Sequence, residues 1–308
     1  MHNAAPRFFD LQVNGYAGVD FNADDLTAGD LRRACERLRA DGVEGALATI
    51  ITDDLEAMCR RLAGLATCRA ADPLAAEVIV GFHVEGPFIN AAPGFVGAHP
   101  AVHARAASQD AAERLLTAGD GLVRLVTLAP ERDSQSAVTR WLVEQGVAVS
   151  AGHCDPSLDE LSAAIDAGLS MFTHLGNGCP LLLNRHDNIV QRVLSLATRL
   201  WVSFIADGVH VPLVALGNYL KLVGPEQAIV VTDAVAAAGM GPGIYPLAGR
   251  QVVVDDQLAT WSADRTHLVG SACTMPRMVE NLGRLGLSQE TVFRLTTANP
   301  RAAIGISR

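Results

Sequence analysis

No stretch of the chain reaches the ~20 consecutive apolar residues of a membrane span. The N-terminal Met1-His2-Asn3-Ala4-Ala5-Pro6-Arg7 lacks the apolar core of a signal peptide. The expectation is a cytoplasmic protein with no membrane partner. Basic character is missing too. The net charge is −9, which argues against nucleic acid as a partner, because nucleic-acid binding uses basic surfaces. A small anion is still compatible, since a few local Arg and His side chains can hold one. Cysteine is sparse: the six residues, at 35, 59, 68, 154, 179 and 273, form no CxxC pair. Scattered core thiols in a reducing compartment fit better than a disulfide framework. Cys154 and Cys179 lie near histidine-bearing runs, yet ordinary packing is the favoured role for both. No internal repeat, linker, HExxH or early GxGxxG is present.

What the chain does have is alternation. It is 49% hydrophobic and 19% charged over 308 residues, enough for an ample core in one large domain or two small ones. Short apolar runs at 8–13, 45–51, 78–84, 122–128, 147–151, 170–174, 201–206 and 228–232 read as strands. Helical periodicity falls between them, at 27–40, 53–68, 108–118, 133–145, 157–167, after 188, and at 212–223. In the first helix Leu31, Ala34, Cys35 and Leu38 share a face, and Asp53 with Glu56 reads as a capping box for the second. Helices around 271–285 and 288–297 close the chain.

Eight strands alternating with helices predict an α/β fold, a (β/α)8 TIM barrel spanning 1–308 as one catalytic domain; ~250 residues is typical. An open doubly wound sheet is the alternative, and the missing GxGxxG disfavours it. Segment 234–264 carries Gly239, Gly241, Pro242, Gly243 and Pro246, then the β-like Gln251-Val252-Val253-Val254. It reads as an excursion over the barrel mouth with a hairpin.

Barrel chemistry sits at the C-terminal ends of the strands. Four chemistry-bearing residues fall there: Glu85 after Val78–Val84, His153 after Val149-Ser150-Ala151-Gly152, His174 after Met171-Phe172-Thr173, and Asp233 after Ile229-Val230-Val231-Thr232. Two neutral imidazoles and a carboxylate make a three-ligand metal site with an open position for water. A free carboxylate beside it can take the water's proton and pass it on. Glu85, His153 and His174 suit the ligand set, and Asp233 the acid/base. The plain alternative is that each is a satisfied strand-end polar group. Four together on one rim favour the site. His83, two residues before Glu85, points away from it within a strand and reads as structural. His2, His103, His186 and His267 read as surface residues.

Eight motifs then occur in order: Asp10-Leu11-Gln12-Val13-Asn14-Gly15, His83-Val84-Glu85-Gly86-Pro87-Phe88, Gly97-Ala98-His99-Pro100, Ala151-Gly152-His153, Thr173-His174-Leu175-Gly176-Asn177, Ala206-Asp207-Gly208-Val209-His210, Val231-Thr232-Asp233-Ala234 and Leu268-Val269-Gly270-Ser271. Together they resemble the N-acetylglucosamine-6-phosphate deacetylase family of the amidohydrolase superfamily, over about residues 8 to 305. The resemblance implies that Glu85, His153 and His174 hold one divalent ion per chain, zinc or alternatively iron. It implies that Asp233 is the catalytic acid/base, and that Ala98, His99, Asn177, Gly178, Arg185, His210 and Val269 hold an amino-sugar phosphate. It further implies a homodimer in which Arg185 reaches the neighbouring subunit's site. The strand-one pair that holds a second metal in many amidohydrolases is Gln12 and Asn14 here. Amides are poor ligands for a transition metal beside imidazole, so that position reads as vestigial.

Three departures stand out. The small β-sandwich domain usual in the family is expected to be absent or vestigial. The family's Asn-Ala-Met is Asn177-Gly178-Cys179, and its Arg-Glu-Pro-Gly is Arg185-His186-Asp187-Asn188. The reading that follows is removal of the N-acetyl group of N-acetylglucosamine-6-phosphate. The alternatives are another N-acyl sugar or a cyclic amide, and a silent barrel that binds a sugar phosphate.

Overall fold

A computed structural model describes residues 7–306; His2 lies outside the described residues. Eight parallel strands form one sheet in chain order: β1 (Phe8–Val13), β2 (Val43–Ile51), β3 (Ile79–Glu85), β4 (Val123–Leu128), β5 (Ala148–Ala151), β6 (Met171–Phe172), β7 (Trp201–Ile205) and β8 (Ala228–Val231). Helices cross over between them, as parallel pairing requires. The sheet curls into a barrel, and a parallel bridge between Val13 and Ala234 joins its first and last strands. The Asp10 carboxylate completes that seam. It accepts Thr232 N–H at 3.1 Å, the Thr232 hydroxyl at 2.5 Å and Gln12 N–H at 3.3 Å.

Helix boundaries follow local chemistry. The first helix, α1 (Ala28–Ala40), begins at a Thr27–Asp30 capping box and buries Leu31, Ala34, Cys35 and Leu38. The second, α2 (Leu55–Ala70), starts one residue later than the sequence suggested. Its cap is Asp54, whose carboxylate takes the Glu56 and Ala57 N–H groups, while Asp53 pairs with Arg61. A short helix, α3 (Pro73–Val78), was not foreseen; Pro at its first turn and the Asp72 cap start it, and it removes Val78 from the strand. The helix expected over 133–145 forms only over Ala137–Glu144. Gln135 and Ser136 adopt left-handed backbone ahead of it, and the Asp133 carboxylate takes the Val138 and Thr139 N–H groups.

The main core lies between the barrel and its helices. Inside the barrel runs a polar layer: His83 Nε2 bonds Thr127 at 2.8 Å, Thr127 bonds Thr173 at 2.9 Å, and Thr173 bonds Ser150 at 2.6 Å. His83 is therefore a buried structural residue, and burial lowers its pKa to about 4. Over the mouth, the excursion is a three-stranded antiparallel sheet rather than a lone hairpin: β9 (Gly243–Leu247), β10 (Arg250–Val254) and β11 (Thr260–Ser262). Its Leu247, Val252 and Val254 pack with Ile51 and Val235 in a second, smaller core. That packing fixes the sheet beside the strand ends.

Candidate active site

The chain must leave each strand sharply to aim a side chain into the mouth. His153, His174 and Asp233 each sit two residues beyond a strand and adopt left-handed backbone, with φ of 51°, 37° and 49°. Such strain costs of order 1–3 kcal/mol per residue and persists only where the surroundings impose it. They do so here. His174 N–H is held by the Ser203 hydroxyl at 2.8 Å. The Asp233 carbonyl accepts Ser271 N–H at 2.8 Å, and the His153 carbonyl accepts Asn90 N–H at 2.9 Å.

Glu85 is the hub. Its Oε1 accepts Gln12 Nε2–H at 2.9 Å and lies 3.1 Å from His174 Nε2 and 3.4 Å from His153 Nε2. Its Oε2 is 3.8 Å from His99 Nε2. Burial alone would raise the Glu85 carboxyl; the neighbouring His153 and His174 imidazoles instead hold it well below its ordinary range. Burial alone would lower His174; the Glu85 carboxylate raises it. Burial and then the neighbouring His153 push His99 well below its ordinary value.

This buried carboxylate–imidazole cluster is a donor set suited to a transition-metal ion. Among the described residues, the three donors within 4.8 Å of one another are Glu85, His99 and His153, where the sequence pointed to Glu85, His153 and His174. Hydrogen bonds separate the imidazoles by kind. His153 Nδ1 lies 2.7 Å from the Phe95 carbonyl. A carbonyl only accepts, so the proton is on Nδ1 and Nε2 presents a lone pair, the support that metal-ligating histidines commonly have. His99 is the reverse. Its Nδ1 accepts Thr52 N–H at 3.2 Å, so in the neutral ring Nε2 carries the proton, 3.2 Å from His153 Nε2. His174 Nδ1 is buried without a partner.

Asp233 stands across from Glu85. Its Oδ1 accepts Gln12 Nε2–H at 3.0 Å and Asn14 Nδ2–H at 2.7 Å. Burial, then repulsion from Glu85, raises its pKa to about 6. That places it near the ideal for moving a proton at neutral pH.

A cavity of about 620 Å³ opens onto these groups. Of the residues singled out from sequence, Glu85, His153, His174, Asp233, Asn14, Ala98, His99, Asn177, Gly178 and His210 line it. The His210 ring is held by Asp207 at 2.6 Å. Gln12 stands behind the lining, bonded to both carboxylates. Val269 is buried, its N–H bonded to the Thr260 carbonyl, and Arg185 is exposed on the loop after β6; neither lines the cavity. No Arg or Lys does. Sequence reasoning missed Trp261, Thr266 and Leu268 and assigned His267 only to the surface. All four form a wall where β11 and the strand-like turn after it fold over the mouth. The β-pattern of the excursion was the one signal for them.

No family model matches the chain. The chain is similar to N-acetylglucosamine-6-phosphate deacetylase of Bos taurus, at 33% identity over 99% of this chain and 75% of the relative. It is also similar to N-acetylgalactosamine-6-phosphate deacetylase of Escherichia coli O157:H7, at 30% identity over 98% of this chain and 78% of the relative. Among solved structures, a variant of the Mycobacterium smegmatis N-acetyl-D-glucosamine-6-phosphate deacetylase in complex with N-acetyl-D-glucosamine-6-phosphate matches with a TM-score of 0.88. That match has 32% identity and covers 98% of this chain and 78% of that one.

Proposed function

The chain belongs to the N-acetylglucosamine-6-phosphate deacetylase family, and from that premise we propose that it hydrolyses the N-acetyl group of N-acetylglucosamine-6-phosphate. The products are acetate and glucosamine-6-phosphate. The whole chain acts as one catalytic unit, with the excursion at about 234–264 roofing its mouth. The single observation that carries the reading is the convergence of Glu85, His153, His174 and Asp233 on one cavity.

Glu85, His153 and His174 would hold one divalent ion, zinc or iron. When bound, such an ion lowers the pKa of water and polarises a carbonyl. His99 is assigned to the substrate. Its neutral ring presents Nε2–H, which donates to the acetyl oxygen as negative charge develops there. Asp233, ionised above about pH 6, takes the proton of the attacking water and then delivers it to the departing amine. His210, Asn177 and the Gly178 and Ala98 backbone hold the sugar phosphate, with Val269 shaping the wall behind.

The absence of Arg and Lys among the described residues of the cavity lining supports a homodimer. A phosphate dianion calls for a guanidinium fork, and Arg185 is exposed beside the exposed Leu181 and Leu182. In this reading Arg185 serves the neighbouring copy. No helix among the described residues is long and apolar enough to cross a membrane. The six cysteines are free thiols, which suits the cytoplasm.

The test is acetate release by zinc-loaded protein. N-acetylglucosamine-6-phosphate, its galacto epimer and unphosphorylated N-acetylglucosamine are run in parallel. The expected outcome is turnover that requires the phosphate and favours the gluco sugar. Preference for the galacto epimer would move the substrate to the E. coli relative's. No acetate from any of the three would sink the reading.

A further inference from the structure

Two amides at the end of β1 do work that their label as a lost metal site conceals. We propose that Gln12 and Asn14 are positioning residues whose N–H groups hold Asp233 and Glu85 in register, in place of a second cation. The inference rests on the role given above to Asp233.

The geometry is specific. Gln12 Nε2 has two hydrogens, and both are used: one to Glu85 Oε1 at 2.9 Å, one to Asp233 Oδ1 at 3.0 Å. Asn14 Nδ2 donates to the same Asp233 Oδ1 at 2.7 Å. Two buried carboxylates facing each other repel. A donor shared between them offsets the repulsion, as a bridging cation would. Both donors land on Oδ1, which leaves Oδ2 as the oxygen that carries the proton. The amides are themselves fixed. Asn14 N–H donates to the Ala234 carbonyl at 2.7 Å, and Asp10 takes the N–H groups of both Gln12 and Thr232. The backbone that bears the amides and the backbone that bears Asp233 are thus tied at the barrel seam. If the amides only filled polar space, replacing them with groups of the same size would leave the chemistry intact.

Three variants test this: Gln12→Glu and Asn14→Asp, which keep shape and remove donors, and Gln12→Met, which keeps length and adds no charge. All three should lower kcat about 10²-fold with KM within about threefold, the signature of a misplaced reacting group. Gln12→Glu also sets three carboxylates around one point. Elemental analysis should find about one more zinc per chain than in wild type dialysed alongside, since oxygen donors replace an N–H that cannot ligate. Wild-type kcat in Gln12→Met overturns the proposal whatever the acidic variants do, and so does equal zinc in Gln12→Glu and wild type. An inactive wild type would instead sink the proposed reaction, and the zinc comparison would still decide the amide clamp.

Discussion

The two sides of the cavity are built on opposite plans. On the strand-end side, Glu85, His99, His153 and His174 are buried, and their hydrogen bonds fix which atom of His99 and His153 carries a proton. On the loop side, Leu181 and Leu182 are 100% and 93% exposed, and Arg185 pairs with no carboxylate among the described residues. Buried polar groups without partners are costly, so most of the first side is satisfied within one copy, His174 Nδ1 excepted. The second side is free to be incomplete, and recognition can be shared with a second copy. In the proposed function, the reacting end of the site is thus dictated by the barrel, and the phosphate end by what the loop meets.

The sharpest break of that comparison is Asp233→Asn. The isosteric amide keeps the bonds of the seam but cannot accept the water's proton. We expect kcat to fall about 10³-fold, in the range for loss of general acid–base catalysis, with metal content unchanged by elemental analysis. Near-normal turnover would remove Asp233 from the mechanism and leave the strand-end side without its base.

Arg185→Ala probes the other side and should cost less. KM for the phosphorylated sugar should rise roughly 10–100-fold, the worth of one charge-assisted pair, while kcat holds. Mixing Arg185→Ala with Asp233→Asn decides whether the arginine works across subunits. A mixed dimer has one site with both an intact Asp233 and a partner's arginine, so turnover at low substrate, which neither variant supports alone, should reappear on mixing. Additive inactivity would return Arg185 to its own site or to the solvent.

Asp10 tests how far the strand-end side is self-contained. Burial raises its carboxyl to about 7 from an ordinary 3.8. The folded protein keeps this proton where the unfolded chain has lost it. Its contribution to stability therefore falls as pH rises from about 4 to 7, by at most about 1.4 kcal/mol per pH unit. Asp10→Asn has no such proton, so its melting temperature should decline less between pH 5 and pH 8 than that of wild type. Equal slopes would show that Asp10 is ionised in the folded protein.

The same division explains what could be read from sequence. The barrel was legible because eight apolar runs alternate with helical periodicity, and parallel strands so spaced have few other solutions. Glu85, His153, His174 and Asp233 were legible because each ends a run. The hub-like role of Glu85 was not, since it depends on side chains from β1 and from beyond β5 and β6 reaching it across the barrel mouth. The opposite proton positions on His99 and His153 were hidden as well. They depend on the Thr52 N–H and the Phe95 carbonyl, which no spacing relates to either ring. Trp261 and His267 stayed out of view because the β11 segment reaches the mouth only through the packing of Leu247, Val252 and Val254 on Ile51 and Val235.

The smallest expected effect lies where the two sides touch. Gly178 belongs to the exposed loop, yet a Cβ there would come within 3.0 Å of the His153 ring. A Cβ at Gly97, on the loop after β3, would come equally close to that ring, and the Phe95 carbonyl lies 2.7 Å from its Nδ1, so the imidazole has little freedom to move. The backbone at 178 has a φ of 61°, which a side chain adopts at a cost of about 1–2 kcal/mol. Alanine is the usual residue of the family pattern, and glycine here lets the loop lie flat on His153. Gly178→Ala should therefore loosen the metal by a few tenths of an ångström of ring displacement, weakening zinc affinity roughly tenfold, as loss of outer support for a ligand does. A competition titration with a chelator measures it. Unchanged zinc affinity would mean that the loop yields rather than the ring, and that the strand-end side is rigid even at its border with the loop.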